Sequence, residues 1–181
     1  MIRLIRVRGV DAVVVAVLLG ILIGLWWSAQ QGFDAAAMAA GACRARELPS
    51  GLAACFATAP WLHLSAAHGL LNLAAVTVLW RHLRSGNSSE VVVTGVAGSL
   101  FGMLASSLLF GVPVAGASAL VHGWLGRCFV RHPAPLSAFD LLAVSALLAL
   151  GGTAPTWVGH LVAALAGAAA AQLLATNRAP R

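Results

Sequence analysis

The chain has 181 residues, of which 60% are apolar and only 9% are charged, and its mean hydropathy is +0.91. Soluble domains carry about a quarter charged residues, so this composition excludes a chain whose whole surface faces water. The apolar residues form several runs of about 15 to 22 residues without alternating polarity, which predicts membrane-spanning helices and argues against a β-barrel. The formal net charge is +6, but the arginines lie at the ends of apolar runs and form no basic stripe, so no nucleic-acid partner is expected.

The first predicted helix follows the basic residues 1–8 and ends in Trp26 and Trp27, aromatic residues typical of a membrane interface. A cleaved signal peptide has a similar pattern, and this alternative stays open. A long Ala-rich loop over 30–62 comes next, which we expect to fold on the membrane surface as short amphipathic helices. The predicted single domain, 1–181, is an all-α bundle of six transmembrane helices, approximately 9–29, 63–82, 91–110, 116–130, 138–150 and 157–176.

The arginines test this topology, because six spans place both termini on the same side of the membrane. Arg44 and Arg46 lie in the loop over 30–62, and the other nine of the eleven basic residues fall on the side of the termini. By the positive-inside rule both termini are therefore cytoplasmic, and the arginines are expected to contact anionic lipid headgroups. The nine are Arg3, Arg6, Arg8, Arg81, Arg84, Arg127, Arg131, Arg178 and Arg181.

Small residues and cysteines give two further expectations. Small side chains recur every fourth residue in the third and sixth spans, a pattern that lets helix backbones approach closely in lipid. Cys43 and Cys55 share the loop over 30–62, and they either form a disulfide, if that loop faces an oxidising compartment, or stay as two free thiols. Cys128 is expected to be reduced. The small residues are Gly98, Gly102 and Ser106, and Gly159, Ala163, Gly167 and Ala171.

Three of the predicted spans carry polar residues at a similar depth. Polar groups in hydrocarbon are costly, so each needs a partner or a task. At about 1.5 Å per residue, His68 and Ser118 lie about 20 Å from the cytoplasmic ends of their helices, and His160 lies about 25 Å from the end of its helix. All three therefore fall in the outer half of a core about 30 Å thick. Asn72 and His122 share helix faces with His68 and Ser118, because each pair is four residues apart.

This arrangement favours nucleophilic catalysis by a Ser–His dyad. Ser118 begins a short helix, where its backbone N–H lies at the positive end of the helix dipole and favours a developing oxyanion. The hydroxyl needs a general base, and His160, beside Gly159, is the best candidate. His68 and Asn72 can add hydrogen bonds to the oxyanion, so the predicted oxyanion hole consists of His68, Asn72 and the Ser118 N–H. No acidic residue falls at this depth to complete a triad.

The same residues resemble the rhomboid family of intramembrane serine proteases. His63, His68 and Asn72 match the spacing of its second-helix motif, and Gly116-Ala-Ser118 matches the start of its Gly-x-Ser-Gly motif. His160 with Ala163 and Gly167 resembles its last-helix His-x2-Gly-x3-Gly pattern. The resemblance implies that Ser118 is the nucleophile and His160 the base, with no cofactor and no metal. It also implies that His63 braces the outer loop, residues 30–62, through hydrogen bonds and does not take part in the chemistry.

Two residues depart from the rhomboid pattern. Ala119 replaces the second Gly of the serine motif, and its methyl group is expected to shift the fourth span against the sixth. His122 replaces a Tyr that packs on the catalytic histidine, and the pair His122-Gly123 resembles the rhombosortase subgroup. That resemblance implies a bacterial inner-membrane enzyme whose site opens to the periplasm. Its substrates would be membrane-anchored proteins with a C-terminal Gly-Gly motif and transmembrane helix, and an amine or water would resolve the acyl-enzyme.

Two other function classes remain as alternatives. Ala119 favours a catalytically inactive rhomboid-like protein that binds transmembrane helices. The histidines His63, His68, His122 and His160 could instead ligate zinc or haem iron, although no Cys, Asp or Glu joins them at that depth.

Overall fold

The protein is helical throughout the part that is described here. A computed structural model describes residues 9–34, 41–46, 50–84, 86–131 and 154–176, so the predicted span over 138–150 lies outside the described residues. Three of the helices are long and apolar enough to cross a membrane: Gly9–Gln30, Ser88–Phe110 and the Thr156–Thr176 part of the last helix. The helices are α1 (Gly9–Gln30), α2 (Ser50–Ala57), a 3-10 turn (Ala59–Trp61), α3 (Ala66–Leu83), α4 (Ser88–Phe110), α5 (Ser118–Arg131) and α6 (Ala154–Thr176).

Five of the six predicted spans overlap these helices, with ends that differ by three residues or fewer. Local capping sets two of the differences. The Ser65 hydroxyl accepts the His68 N–H at 3.1 Å, so α3 begins after Ser65 and not at His63. The Asn87 side chain accepts the Glu90 N–H at 2.8 Å, so α4 begins earlier than predicted. The outer loop holds α2 and the 3-10 turn.

Helix α5 lies at the centre of the bundle, packed between α4 and α6 and touching α3. All its residues from Ser118 to Cys128 are buried. Close packing depends on glycines, as the small-residue pattern predicted: a side chain on Gly98 of α4 would collide with the Gly123 backbone, and a Cβ on Gly102 would lie 2.6 Å from the Gly159 carbonyl oxygen. With 14 residues, α5 is about 21 Å long, shorter than a bilayer core of about 30 Å. Because Ser118 to Cys128 are all buried, the neighbouring helices surround most of its length.

Helix α1 is tied to the bundle at both of its ends. Near its start, the Asp11 carboxylate pairs with Arg84 Nε and accepts the Trp80 indole N–H, both at 2.7 Å. Near its end, the Ser28 hydroxyl accepts the His63 backbone N–H at 3.1 Å. These contacts make α1 an integral helix of the folded bundle.

A buried charge cluster joins α4 to α5 at the end of the bundle away from the outer loop. The Glu90 carboxylate accepts Arg127 Nε at 3.0 Å and Arg131 Nε at 2.8 Å, and the side chains of Glu90 and Arg127 are only 3% and 2% exposed. Arg131 also donates to the Ala171 carbonyl of α6 at 3.2 Å. The lipid-headgroup contact predicted for the arginines is therefore wrong for Arg127, which neutralises a buried carboxylate.

The outer loop is fastened to the segment that leads into α5. A disulfide joins Cys43 to Cys55, which decides between the two states that the sequence left open. The backbones of Cys43 and Val114 exchange two hydrogen bonds, at 2.8 and 3.0 Å. The Gly116 N–H donates to the Ala59 carbonyl at 2.8 Å. Backbone hydrogen bonds from Cys43 and Ala59 therefore hold residues 114–116 against the outer loop. Cys128 is a free, buried thiol, as expected.

Loss of this disulfide is expected to destabilise the protein by about 2–4 kcal/mol, because the crosslink restricts the unfolded chain. The variant is Cys43→Ser combined with Cys55→Ser, and the measurement is the thermal unfolding midpoint in detergent micelles. A reductant should lower the midpoint of the wild type and leave that of the double variant unchanged. Equal midpoints for the oxidised wild type and the variant would contradict this role of the disulfide.

Candidate active site

The predicted nucleophile, Ser118, is the first residue of α5 and follows a turn that requires glycine at position 116. Gly116 has a φ of +116°, a conformation that side-chain-bearing residues rarely adopt. A Cβ at this position would also lie 2.8 Å from Nε2 of His68. Two features therefore require glycine at position 116: the positive φ angle and the close approach of the His68 ring. The turn leaves Ser118 buried, with 7% of its surface exposed, and its N–H in the unpaired first turn of the helix.

His122 connects Ser118 with the predicted base, His160. The His122 and His160 rings are stacked, with centroids 3.9 Å apart and planes 12° apart. On its other side, Nδ1 of His122 lies 2.8 Å from the backbone carbonyl oxygen of Ser118. All three residues are buried. The structure therefore brings Ser118, His122 and His160 into one cluster, where α5 meets α6.

The His160 ring has a free nitrogen within this cluster. Its Nε2 is buried and has no hydrogen-bond partner in the part of the chain that the structure describes, so no hydrogen bond joins it to the Ser118 hydroxyl here. Such bonds are often long in enzymes without substrate and tighten when substrate binds. Trp157, one turn earlier on α6, packs edge-on against the ring with centroids 6.4 Å apart. An unpaired buried ring nitrogen is able to accept a proton.

His68 and His63 form the opposite wall, from α3 and the turn before it. Their rings are in edge-to-face contact, with centroids 5.3 Å apart. His68 packs against Gly116, two residues before Ser118. His63 is fully buried, and its backbone N–H is held by Ser28 of α1. Both of its ring nitrogens lack a hydrogen-bond partner among the described residues, so the side chain does not brace the outer loop through the hydrogen bonds that the resemblance implies.

Asn72 is fully buried one turn below His68. Its Nδ2 donates to the His68 carbonyl at 3.0 Å, and its Oδ1 has no partner among the described residues. A carboxamide nitrogen carries two N–H groups, so one remains for a ligand. One of the two N–H groups of the Asn72 side chain is therefore already used within α3.

Ala119 fits into the space left by a glycine on the facing helix. Its side chain is buried in a cluster with Met103 of α4 and Ala163 of α6. A Cβ added to Gly102 would come within 3.3 Å of the Ala119 methyl, so the absence of a side chain there makes room for it. The small residue at 102 thus offsets the extra methyl group relative to the rhomboid pattern.

The acidic side chains of the described helices lie away from this cluster. Glu90 and Asp11 lie at the other end of the bundle, in the ion pairs described above. Among the described residues, no three His, Cys, Asp or Glu side chains form a group that could hold a metal ion. The sequence placed His122 on the same helix face as Ser118 but gave no sign of which ring nitrogen binds the carbonyl.

The comparisons with known proteins provide no relative to support or exclude this site. No family model, no curated protein and no solved structure matches the chain. The case for a function therefore depends on the motifs and on the geometry of these residues.

Proposed function

We propose that this protein is an intramembrane serine endopeptidase of the rhomboid type, with Ser118 as nucleophile and His160 as general base. One observation carries the proposal. Ser118, at the start of a buried helix, and His160, with an unpartnered ring nitrogen, both contact the His122 ring. A purely structural bundle has no need for buried histidines beside a buried serine at a helix start, because each costs free energy in an apolar setting.

In the proposed reaction, the Ser118 oxygen attacks the carbonyl carbon of the scissile peptide bond while its proton passes to Nε2 of His160. The Ser118 N–H, His68 and the remaining N–H of Asn72 stabilise the resulting oxyanion, and each such donor is typically worth about 10²–10³ in rate. His160 then gives the proton to the leaving amine, which leaves an acyl-enzyme on Ser118. Water, or an amine in a transfer reaction, attacks the acyl-enzyme and restores the serine.

The proposed substrate is a membrane-anchored protein with a C-terminal transmembrane helix. A spanning helix hides its peptide bonds in hydrogen bonds, so it must unwind before attack, which favours Gly, Ala or Ser near its outer end. The resemblance to rhombosortases adds a Gly-Gly motif before that helix. Mass spectrometry of a co-expressed Gly-Gly-tailed substrate would distinguish a free new carboxylate from one joined to an amine.

The proposed location is the bacterial inner membrane, with six spans and the site on the periplasmic side. The arginine distribution supports this orientation. The Cys43–Cys55 disulfide supports it independently, because disulfides persist in oxidising compartments such as the periplasm. The outer loop that carries the disulfide also packs on the turn before Ser118, so loop and site share one face of the bundle.

A serine-directed probe tests the proposal without knowledge of the substrate. The purified full-length protein is treated with a fluorophosphonate, and the adduct is located by peptide mass spectrometry. We expect a single adduct on Ser118, lost in Ser118→Ala. Ser99→Ala is the matched control, since Ser99 is also buried, and its hydroxyl has no partner among the described residues; this variant should label like the wild type.

The outcomes of this experiment distinguish a protease from a catalytically inactive binding protein. An adduct on Ser118 that depends on His160 supports the enzyme. A folded wild-type protein that takes up no probe, yet retains a transmembrane helix in a pull-down, would instead support the inactive rhomboid-like binding protein. The packing of Ala119 beside Gly102 supports the enzyme, because the extra methyl group has room between the helices.

A further inference from the structure

Trp157 lies against the predicted base and is still open on one side. Its ring is in edge contact with the His160 ring, with centroids 6.4 Å apart and planes 73° apart. Among the described residues, 48% of its surface is exposed. We propose that Trp157 is a specificity-determining residue, which forms the wall of the subsite for the first residue after the scissile bond and restricts that residue to a small side chain. This role rests on the proposed function and concerns the choice of substrate.

Trp157 lies nearer than the base to the end of the bundle that holds the outer loop. Helices α5 and α6 run side by side in the same direction, because His122 meets His160 near their starts and Arg131 meets Ala171 near their ends. The start of α6 therefore lies at the same end as the start of α5, where the outer loop packs. Trp157 precedes His160 by three residues, about 4.5 Å along the helix axis.

The proposed reaction brings the leaving amine to His160, because Nε2 of this ring gives it a proton. The amine nitrogen must approach Nε2 to about 3 Å, and it carries the Cα of the next substrate residue at about 1.5 Å. The side chain of that residue therefore begins beside the His160 ring. The ring has two aromatic neighbours, His122 and Trp157. His122 is buried and Trp157 is half-exposed, so the substrate side chain meets Trp157.

The bulk of the indole sets the direction of the selection. The indole and the imidazole are already in contact, so a large side chain after the scissile bond enters only if the indole is displaced. Gly and Ala need no such movement. A mismatch of one methylene in an apolar pocket changes rates by about 10–200-fold, so a substrate with Leu at this position should be cut about 100-fold more slowly than one with Gly.

Tryptophan at a membrane interface also has a simpler role as an anchor, and Trp26 provides the matched control for it. Trp26 is 63% exposed near the end of α1, which carries neither Ser118 nor His160. Trp26→Ala therefore makes the same substitution as Trp157→Ala and leaves the proposed subsite intact. Trp157→Phe is the conservative variant, because it retains an aromatic wall beside His160.

The experiment measures kcat/KM of the purified full-length protein for transmembrane peptides that differ only in the residue after the cut, Gly or Leu, with the cut located by mass spectrometry. We expect the wild type, Trp26→Ala and Trp157→Phe to prefer the Gly peptide about 100-fold. Trp157→Ala should lower this preference to less than about tenfold, because it cuts the Leu peptide faster. An unchanged preference in Trp157→Ala overturns the proposal, and so does a wild type that cuts both peptides equally well.

Fluorophosphonate labelling of Ser118 distinguishes selection of the substrate from a structural role. The probe loses only fluoride and needs no room for a large leaving group, so Trp157→Ala should label like the wild type. Labelling that falls together with cleavage would overturn the proposal, since Trp157 would then support the His160 ring itself. The proposed function can fail separately. A wild type that takes up no probe on Ser118 and cuts neither peptide removes both ideas, whereas normal labelling with a preference unchanged in Trp157→Ala removes only the role of Trp157.

Discussion

Replacement of His160 by Ala is expected to slow both the labelling of Ser118 and the cleavage of a helical substrate by about 10⁴- to 10⁶-fold. A serine hydroxyl is a weak nucleophile at neutral pH and needs a base to take its proton during attack. Among the described residues, His160 is a buried histidine whose Nε2 has no hydrogen-bond partner. Its ring also stacks on His122, which contacts the Ser118 backbone carbonyl. The measurement is the second-order labelling rate in detergent micelles.

The double variant Ser118→Ala with His160→Ala sharpens this result. Residues that act as one unit are strongly non-additive, so the double variant should cleave substrate no more slowly than either single variant. His82→Ala is the control, since His82 lies near the opposite end of α3 and its ring contacts Arg81. If His160→Ala labelled at the wild-type rate, the base would have to be sought elsewhere in the cluster, first at His122.

Most of the helices were predictable from the sequence. Hydrophobic runs and the arginines at their ends predicted five helices to within three residues. The polar residues stood out because hydrocarbon makes each of them costly. The count from the helix ends put Ser118 and His160 at a similar height. In the structure the His160 ring stacks on His122, whose Nδ1 lies against the Ser118 backbone carbonyl, so α5 and α6 meet near the serine.

The contacts of the outer loop were not predictable from the sequence. Cys43 pairs with Val114 and Ala45 donates to the Ser107 hydroxyl, across separations of about seventy and sixty residues. Such pairs leave no periodic signal, because each joins a residue of the outer loop to a distant part of the chain. The sequence left the pairing of Cys43 and Cys55 undecided for the same reason. Both cysteines are visible in the sequence, but the distance between them depends on how the loop folds over α4.

The arginines show a second limit of sequence patterns. Arg127 and Arg131 have the spacing and the position of interfacial residues, and the positive-inside rule treats them alike. Only the packing of α4 against α5 reveals that Glu90 lies between them. A residue that marks the membrane side in the sequence is thus also a tertiary contact. The positive-inside rule therefore predicts a side of the membrane for such a residue, but not the group that its side chain contacts.

The two ends of the bundle therefore have different tasks. At the end that holds the outer loop, the disulfide-closed loop and the turn at Gly116 position Ser118. At the inner end, ionic contacts from Glu90 and Arg131 join α4, α5 and α6. Because α5 is a single short helix with buried residues along its length, the inner contacts also limit how far Ser118 can move relative to His160.

Replacement of Glu90 by Gln is therefore expected to destabilise the protein by about 3–5 kcal/mol, the typical cost of removing one partner from a buried ion pair. The substitution leaves two guanidinium groups beside one neutral amide, and the side chain of Arg127 is only 2% exposed. Arg127 NH1 already lacks a partner among the described residues, so no spare acceptor is at hand. Thermal and denaturant unfolding in detergent micelles measure the change.

The matched comparison is Asp11→Asn, which removes the carboxylate of the second ion pair. Arg84 is 51% exposed there, and pairs of this kind contribute about 0–1 kcal/mol. The Glu90 variant should therefore unfold well before the Asp11 variant, and its Ser118 labelling should fall, since α5 loses its anchor to α4. Equal stability of the two variants would contradict the anchoring role. It would mean that the two arginines find water or lipid phosphate as soon as their carboxylate is removed.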